Sequence, residues 1–147
     1  MSNAGYELLA GRIPGERIAT TIATADSSTF TTESAALMTV AADLVSGRTY
    51  RVRVMAYWNS SVAADVVSTR IREDTSAGTQ LLLGQVYIAT ITAQRGYPIC
   101  AEVEYTAVAT ATKTFVVTGQ RFTGSGNGNL EASTDRPAYL YVDYIRG

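Results

Sequence analysis

Two alternating runs joined by a short loop constrain the fold of this chain more than any other feature of its sequence. They cover residues 49–58 and 65–72. In the first run every second residue is apolar, which is the period of two expected for a half-buried antiparallel strand. The runs therefore predict two strands of an all-β protein. The predicted inner face of the first run carries Tyr50, Val52, Val54, Ala56 and Trp58, and its opposite face carries Arg51, Arg53, Met55 and Tyr57.

The rest of the chain continues this pattern of short strands separated by turn residues. Apolar residues do not recur convincingly at helical spacing, and the best helical candidate, residues 33–44, is rich in Thr, Val and small residues. Eight strands in 147 residues predict an antiparallel eight-stranded β-sandwich of the jelly-roll type. A seven-stranded immunoglobulin-like sandwich is the alternative. The predicted strands are 17–24, 34–42, 49–58, 65–73, 80–91, 97–107, 112–122 and 137–146.

Composition argues against catalysis and against several classes of ligand. The chain has no histidine, so it lacks the Ser-His-Asp and Cys-His machinery and the commonest metal ligand. Its single cysteine, Cys100, lies in an apolar stretch and is predicted to be a small, half-buried strand residue. The net charge of -1 provides no field to attract nucleic acid or an anionic membrane. We expect a protein that is not an enzyme, with no catalytic residue, no cofactor and no metal site.

The first sixteen residues are expected to form an arm outside the folded domain. Glycine and proline interrupt this segment, and it cannot build a core alone. The predicted organisation is an N-terminal arm over residues 1–16 and a jelly-roll domain over residues 17–147. No stretch approaches the ~20 apolar residues of a membrane helix, so no membrane partner is expected. The apolar residues that would dock the arm on a neighbouring protein are Tyr6, Leu8, Leu9 and Ile13.

The order of several strand motifs resembles that of small virion proteins of tailed phages that infect actinobacteria. The motifs cover residues 46–54, 65–74, 76–81, 113–117 and 137–145. The resemblance implies a head decoration or minor tail protein that is made in the host cytoplasm and resides in the virion. The strand layout also resembles the jelly roll of tumour necrosis factor and complement globular heads, which implies a homotrimer.

That layout predicts a cross-strand ladder of ion pairs. If the third and sixth strands are neighbours, Arg51 and Arg53 share a sheet with Glu102 and Glu104. Residues two apart point to the same face, so each cross-strand pair would contribute about 0.2–1 kcal/mol. The alternative is a solvated charged face without specific pairs.

Aromatic residues on the outer faces predict a contact between subunits. In the last strand, Tyr139 and Tyr141 alternate with apolar residues, so both faces of the strand are apolar or aromatic. A strand with one face in water does not need this pattern, and we expect one face to meet other copies or other virion proteins. The predicted interface residues are Met55, Tyr57, Tyr139 and Tyr141. Aromatic packing within a monomer is the alternative.

A glycine-rich segment over residues 124–129 lacks the spacing of a phosphate-binding loop and is predicted to be a mobile hairpin tip. The sequence is also compatible with two other functions. One is a tail module that binds a glycan or protein on the host surface, and the other is a bacterial domain of the complement-head type. A glycosidase-like pair of carboxylates distant along the chain would contradict the non-enzymatic interpretation.

Overall fold

The computed structural model describes residues 13–90 and 96–147. These residues form nine strands and no helix. No segment of the described ranges is a helix that could cross a membrane. The strands are β1 (Arg17–Ala23), β2 (Met38–Leu44), β3 (Thr49–Ser60), β4 (Val66–Glu73), β5 (Gln80–Tyr87), β6 (Tyr97–Thr106), β7 (Ala111–Thr123), β8 (Gly128–Glu131) and β9 (Ala138–Arg146).

The strands form two antiparallel sheets packed face to face. Sheet I has the order β1-β9-β3-β6, and the short β8 also pairs with β3. Sheet II has the order β2-β7-β4-β5. Eight of the strands thus form two four-stranded layers, as expected for a jelly-roll sandwich. The predicted adjacency of the third and sixth strands is confirmed, because β3 pairs with β6 over residues 49–58.

The core lies between the sheets and follows the alternation read from the sequence. On β2 the pattern of buried and exposed residues alternates without interruption. On β3 the inward residues Tyr50, Val52, Val54 and Trp58 are fully buried. The ring of Phe30 packs edge-on against Trp58, with 6.3 Å between the ring centroids. Gly119 on β7 makes room for this pair, because a Cβ there would lie 2.5 Å from Phe30 and 2.7 Å from Trp58.

The prediction of eight strands was wrong, because the described residues contain a ninth, β8. It forms where the sequence predicts only a mobile tip. The cause is the carboxylate of Asp65, which is 1% exposed and accepts hydrogen bonds from the backbone of Ser125 and Gly126 at 3.0 and 2.9 Å. This anchor fixes the glycine-rich segment and leads the chain into pairing with β3. Gly124 adopts φ of 108°, which a residue with a side chain rarely does.

The first strand of the described residues, β1, begins at Arg17. Of the four predicted arm residues, Tyr6, Leu8 and Leu9 lie outside the described residues, whereas Ile13 is described and exposed. The chain joins sheet I just after Ile13. The amide of Gly15 donates to the carbonyl of Tyr144 at 2.7 Å, and the amide of Tyr144 donates to the carbonyl of Glu16 at 2.8 Å.

Candidate functional site

A row of apolar side chains crosses the outer face of sheet I. The strand registers place Ile22 opposite Tyr139, Tyr139 opposite Met55, and Met55 opposite Cys100, so the row spans all four strands. Ile22 is 54% exposed and Met55 is 40% exposed, and Cys100 is also exposed. An antiparallel sheet normally presents polar residues on its solvated face. We call these four residues the apolar row.

The predicted interface residues all lie on this face, on two neighbouring strands. Met55 is opposite Tyr139, and Arg53 is opposite Tyr141. The rings of Tyr139 and Tyr141 stack with 5.3 Å between their centroids and 21° between their planes. The guanidinium of Arg17 lies 3.5 Å above the ring of Tyr141. These contacts fix the tyrosine side chains before any partner binds, which lowers the entropy cost of association.

Three residues of the apolar row, Tyr139, Met55 and Cys100, line a shallow groove of about 240 Å³. Its walls come from β3, β6 and the turn before β9, and Tyr57 and Pro98 contribute to them. The guanidinium of Arg136 lies 4.7 Å from the ring centroid of Tyr57. The groove extends the apolar surface beyond the row and forms a depression that a side chain of a partner can fill.

The predicted ladder of charges is present in part, with a different partner for one carboxylate. Arg53 Nη2 lies 2.6 Å from Glu102 Oε2, and Arg51 Nε lies 3.4 Å from Glu102 Oε1. Glu104 pairs instead with Arg146, with 2.7 Å between Arg146 Nη2 and Glu104 Oε2. The hydrogen bond to Glu102 raises the pKa of the Arg53 guanidinium. These pairs are solvent-accessible, so each stabilises the fold by about 0.2–1 kcal/mol at most.

One further ion pair on this face joins β1 to β9. Arg17 Nε lies 3.0 Å from Asp143 Oδ1. Sequence reasoning missed this contact because β1 and β9 are at opposite ends of the chain. Together with the pairs of Glu102 and Glu104, it leaves each of these carboxylates paired within one subunit, with Glu102 shared by Arg51 and Arg53. The face therefore combines an apolar row with a border of internally paired charges.

Sequence reasoning also missed Ile22 and misjudged Cys100, which was predicted to be half-buried. The alternation of β6 points its odd-numbered apolar residues inward, so Cys100 points outward and is exposed. The alternation of β6 could have predicted this exposure, because Cys100 follows the inward-facing Ile99. Ile22 could not be placed without knowing that β1 pairs with β9.

A polar cavity of about 450 Å³ lies beside the groove and contains three carboxylates. Two of them already serve the fold. Glu131 accepts from Asn59 at 2.8 Å and from Arg136 at 3.3 Å, and Asp26 accepts from the amide of Ala132 at 2.8 Å. The third, Asp135, is exposed. Within the described ranges, no group of three or more His, Cys, Asp or Glu side chains is arranged to hold a metal ion.

No protein-family model matches the sequence, and no curated protein matches it. Among solved structures, a carbohydrate-binding module from Clostridium stercorarium in complex with cellobiose is 10% identical, with a TM-score of 0.41, over 86% of this chain and 94% of that one. A xylan-binding domain from Paenibacillus barcinonensis is 8% identical, with a TM-score of 0.43, over 93% and 99%. A structure of infectious bursal disease virus is 14% identical, with a TM-score of 0.44, over 89% of this chain and only 36% of that chain.

Proposed function

We propose that this protein is a non-enzymatic structural component of a virion and that it assembles with copies of itself through the outer face of sheet I. The observation that carries the proposal is the apolar row, which crosses four strands on a face that would be in contact with water in a monomer. Large apolar side chains aligned on an outer sheet face are a feature of protein contact surfaces.

The charges around the row favour a second copy of this chain as the partner. Arg17 is paired with Asp143, Arg53 with Glu102, and Arg146 with Glu104. Because these carboxylates are paired internally, a second copy can pack against the face around a threefold axis without bringing unpaired carboxylates together. A partner of strong opposite charge would instead require free charges of one sign.

The trimeric state rests on the resemblance of the strand layout to the jelly roll of tumour necrosis factor and complement globular heads, and the virion role rests on the resemblance of the strand motifs to phage head decoration and minor tail proteins. The same resemblance supports a role for the arm over residues 1–16 in docking to other virion proteins. Removal of residues 1–12 tests this role. We expect the shortened protein to fold but to be lost from purified particles, and full retention in particles would refute docking by the arm.

A pair of matched variants tests the assembly face. Met55→Glu places a charge in the apolar row, and Leu83→Glu places the same charge on the outer face of sheet II. Met55 and Leu83 are 40% and 41% exposed, so the introduced carboxylates are expected to be hydrated to a similar degree in a monomer. We expect light scattering to show that Met55→Glu reduces the assembly to monomers, whereas Leu83→Glu assembles like the wild type. Equal masses for all three proteins would overturn the proposed face.

The single thiol gives an independent readout of the same face. Cys100 lies in the row, and it is the only cysteine in the chain. We expect an aromatic disulfide reagent to modify Cys100 slowly in the assembled wild type and rapidly in Met55→Glu. Rapid modification of the assembled wild type would place the contact elsewhere on the molecule.

A further inference from the structure

We infer that the outer face of sheet II is a binding platform for a neutral polysaccharide, centred on Tyr87 and Phe122. This site lies on the opposite side of the sandwich from the apolar row. The inference goes beyond the proposed structural role and does not depend on it.

The first observation is the exposure of the two rings. Tyr87 is 57% exposed and Phe122 is 52% exposed. Among residues 13–90 and 96–147 they are the two aromatic side chains that are exposed, since the others are buried or half-buried. An aromatic ring left in water offers no stability to the monomer, so a pair of them on one surface indicates a ligand.

The strand register brings the two rings to the same end of the same sheet. Tyr87 is opposite Val66 on β4, and Val66 is opposite Thr123 on β7, beside Phe122. Phe122 lies in the bulge of β7 between Arg121 and Thr123, two residues after Gln120, and it is exposed there. Two inter-strand spacings separate β5 from β7, so the rings stand roughly 10 Å apart. This distance suits two sugar rings of one chain better than a single small ligand.

Uncharged hydrogen-bonding groups occupy the next row of the platform. Ser68 is opposite both Gln85 and Gln120, which places two amide side chains beside the aromatic pair. Amides both donate and accept hydrogen bonds, as sugar hydroxyl groups do. Sugar rings also have an apolar face of C–H groups that packs on aromatic rings. The alternation of aromatic and amide side chains therefore matches a polysaccharide better than it matches the continuous apolar core of a protein interface.

The nearby charged groups are already engaged, which favours a neutral ligand. Arg70 Nε donates to Gln80 at 2.9 Å, and Arg72 donates to both oxygens of Glu33 at 2.6 and 2.8 Å. Arg121 Nη1 donates to the carbonyl of Gly126 at 2.6 Å. An anionic polysaccharide would have to compete with these contacts for the guanidinium groups.

Affinity electrophoresis of the full chain in gels containing soluble polysaccharides tests this inference. The neutral probes are hydroxyethylcellulose, mannan and arabinogalactan, and the anionic probe is hyaluronan. We expect at least one neutral probe to retard the wild type. Tyr87→Ala and Phe122→Ala are each expected to weaken the retardation about tenfold, because each removes one stacking contact. Tyr87→Phe keeps the ring and is expected to retain binding.

The matched control is Leu83→Ala, which removes an exposed aliphatic side chain from the same face. It is expected to bind like the wild type. Melting temperatures and native masses of all variants separate loss of binding from loss of folding or assembly. The inference is overturned if no neutral probe retards the protein, if only hyaluronan does, or if the two alanine variants bind as the wild type does.

Discussion

The buried carboxylate of Asp65 makes the most quantitative prediction about the fold. It accepts from Ser60 Oγ at 2.6 Å and from the amides of Ser125 and Gly126 at 3.0 and 2.9 Å. Burial alone raises the pKa of Asp65, but these three hydrogen bonds, with the nearby charge of Arg121, outweigh burial and lower the pKa below its ordinary value. The charged form therefore stabilises the folded state.

Asp65→Asn keeps the shape of the side chain but turns one acceptor into a donor. One amide hydrogen then faces an existing N–H donor, so a charge-assisted bond is lost and a buried donor is left without an acceptor. Loss of the charge-assisted hydrogen bond costs about 1.5–3 kcal/mol, and the buried donor without an acceptor costs about 1–3 kcal/mol. Because these two costs overlap in part, we expect the free energy of unfolding at pH 7 to fall by about 3 kcal/mol. Asp135→Asn, at an exposed carboxylate, is the control and is expected to change stability by less than about 0.5 kcal/mol.

Urea unfolding at several pH values measures the effect and its sign. Because the folded pKa lies below the unfolded value of about 3.9, the stabilisation by Asp65 is present above that value and is lost as the pH falls through the folded pKa. The difference between wild type and Asp65→Asn should therefore shrink below about pH 4. A difference under about 0.5 kcal/mol at pH 7, or one that persists unchanged in acid, would refute the role assigned to Asp65.

Three further substitutions test other parts of the molecule by chemical denaturation. Gly119→Ala forces a Cβ against Phe30 and Trp58 and is expected to destabilise the protein by about 1–3 kcal/mol, whereas a neutral effect would contradict the close packing there. Glu33→Gln weakens the pair with Arg72, whose hydrogen bond is the largest cause of the lowered pKa of Glu33. We expect this substitution to reduce the free energy of unfolding by about 1–2 kcal/mol at pH 7, and we expect the loss to disappear as the pH falls below about 4. A loss that does not depend on pH would refute the role of the charged pair. Arg53→Ala removes an accessible ion pair and is expected to cost less than about 1 kcal/mol, so a larger loss would show that this pair is part of the structural core.

The alternation of apolar residues was sufficient to predict most of the sandwich. It gave the faces of β3 correctly, and the jelly-roll layout placed β3 beside β6. The sequence could not predict β8, because this strand has four residues and depends on a carboxylate sixty residues earlier in the chain. The period of two carries no information about such long-range hydrogen bonds.

The candidate site was predictable to a similar extent. Met55 and Tyr139 were assigned to an outer face from alternation alone, and the register makes them direct neighbours. Ile22 was missed because pairing between the first and last strands is a property of topology. The partner of Glu104 was also not predictable, since long side chains choose between diagonal neighbours after the register is set.

Sedimentation equilibrium of the full chain at micromolar concentration tests the central claim most directly. The proposed assembly predicts a species of three times the protomer mass of 15.7 kDa, which Met55→Glu converts to the protomer mass. A wild-type protein that remains at 15.7 kDa throughout this range would contradict self-assembly through the outer face of sheet I.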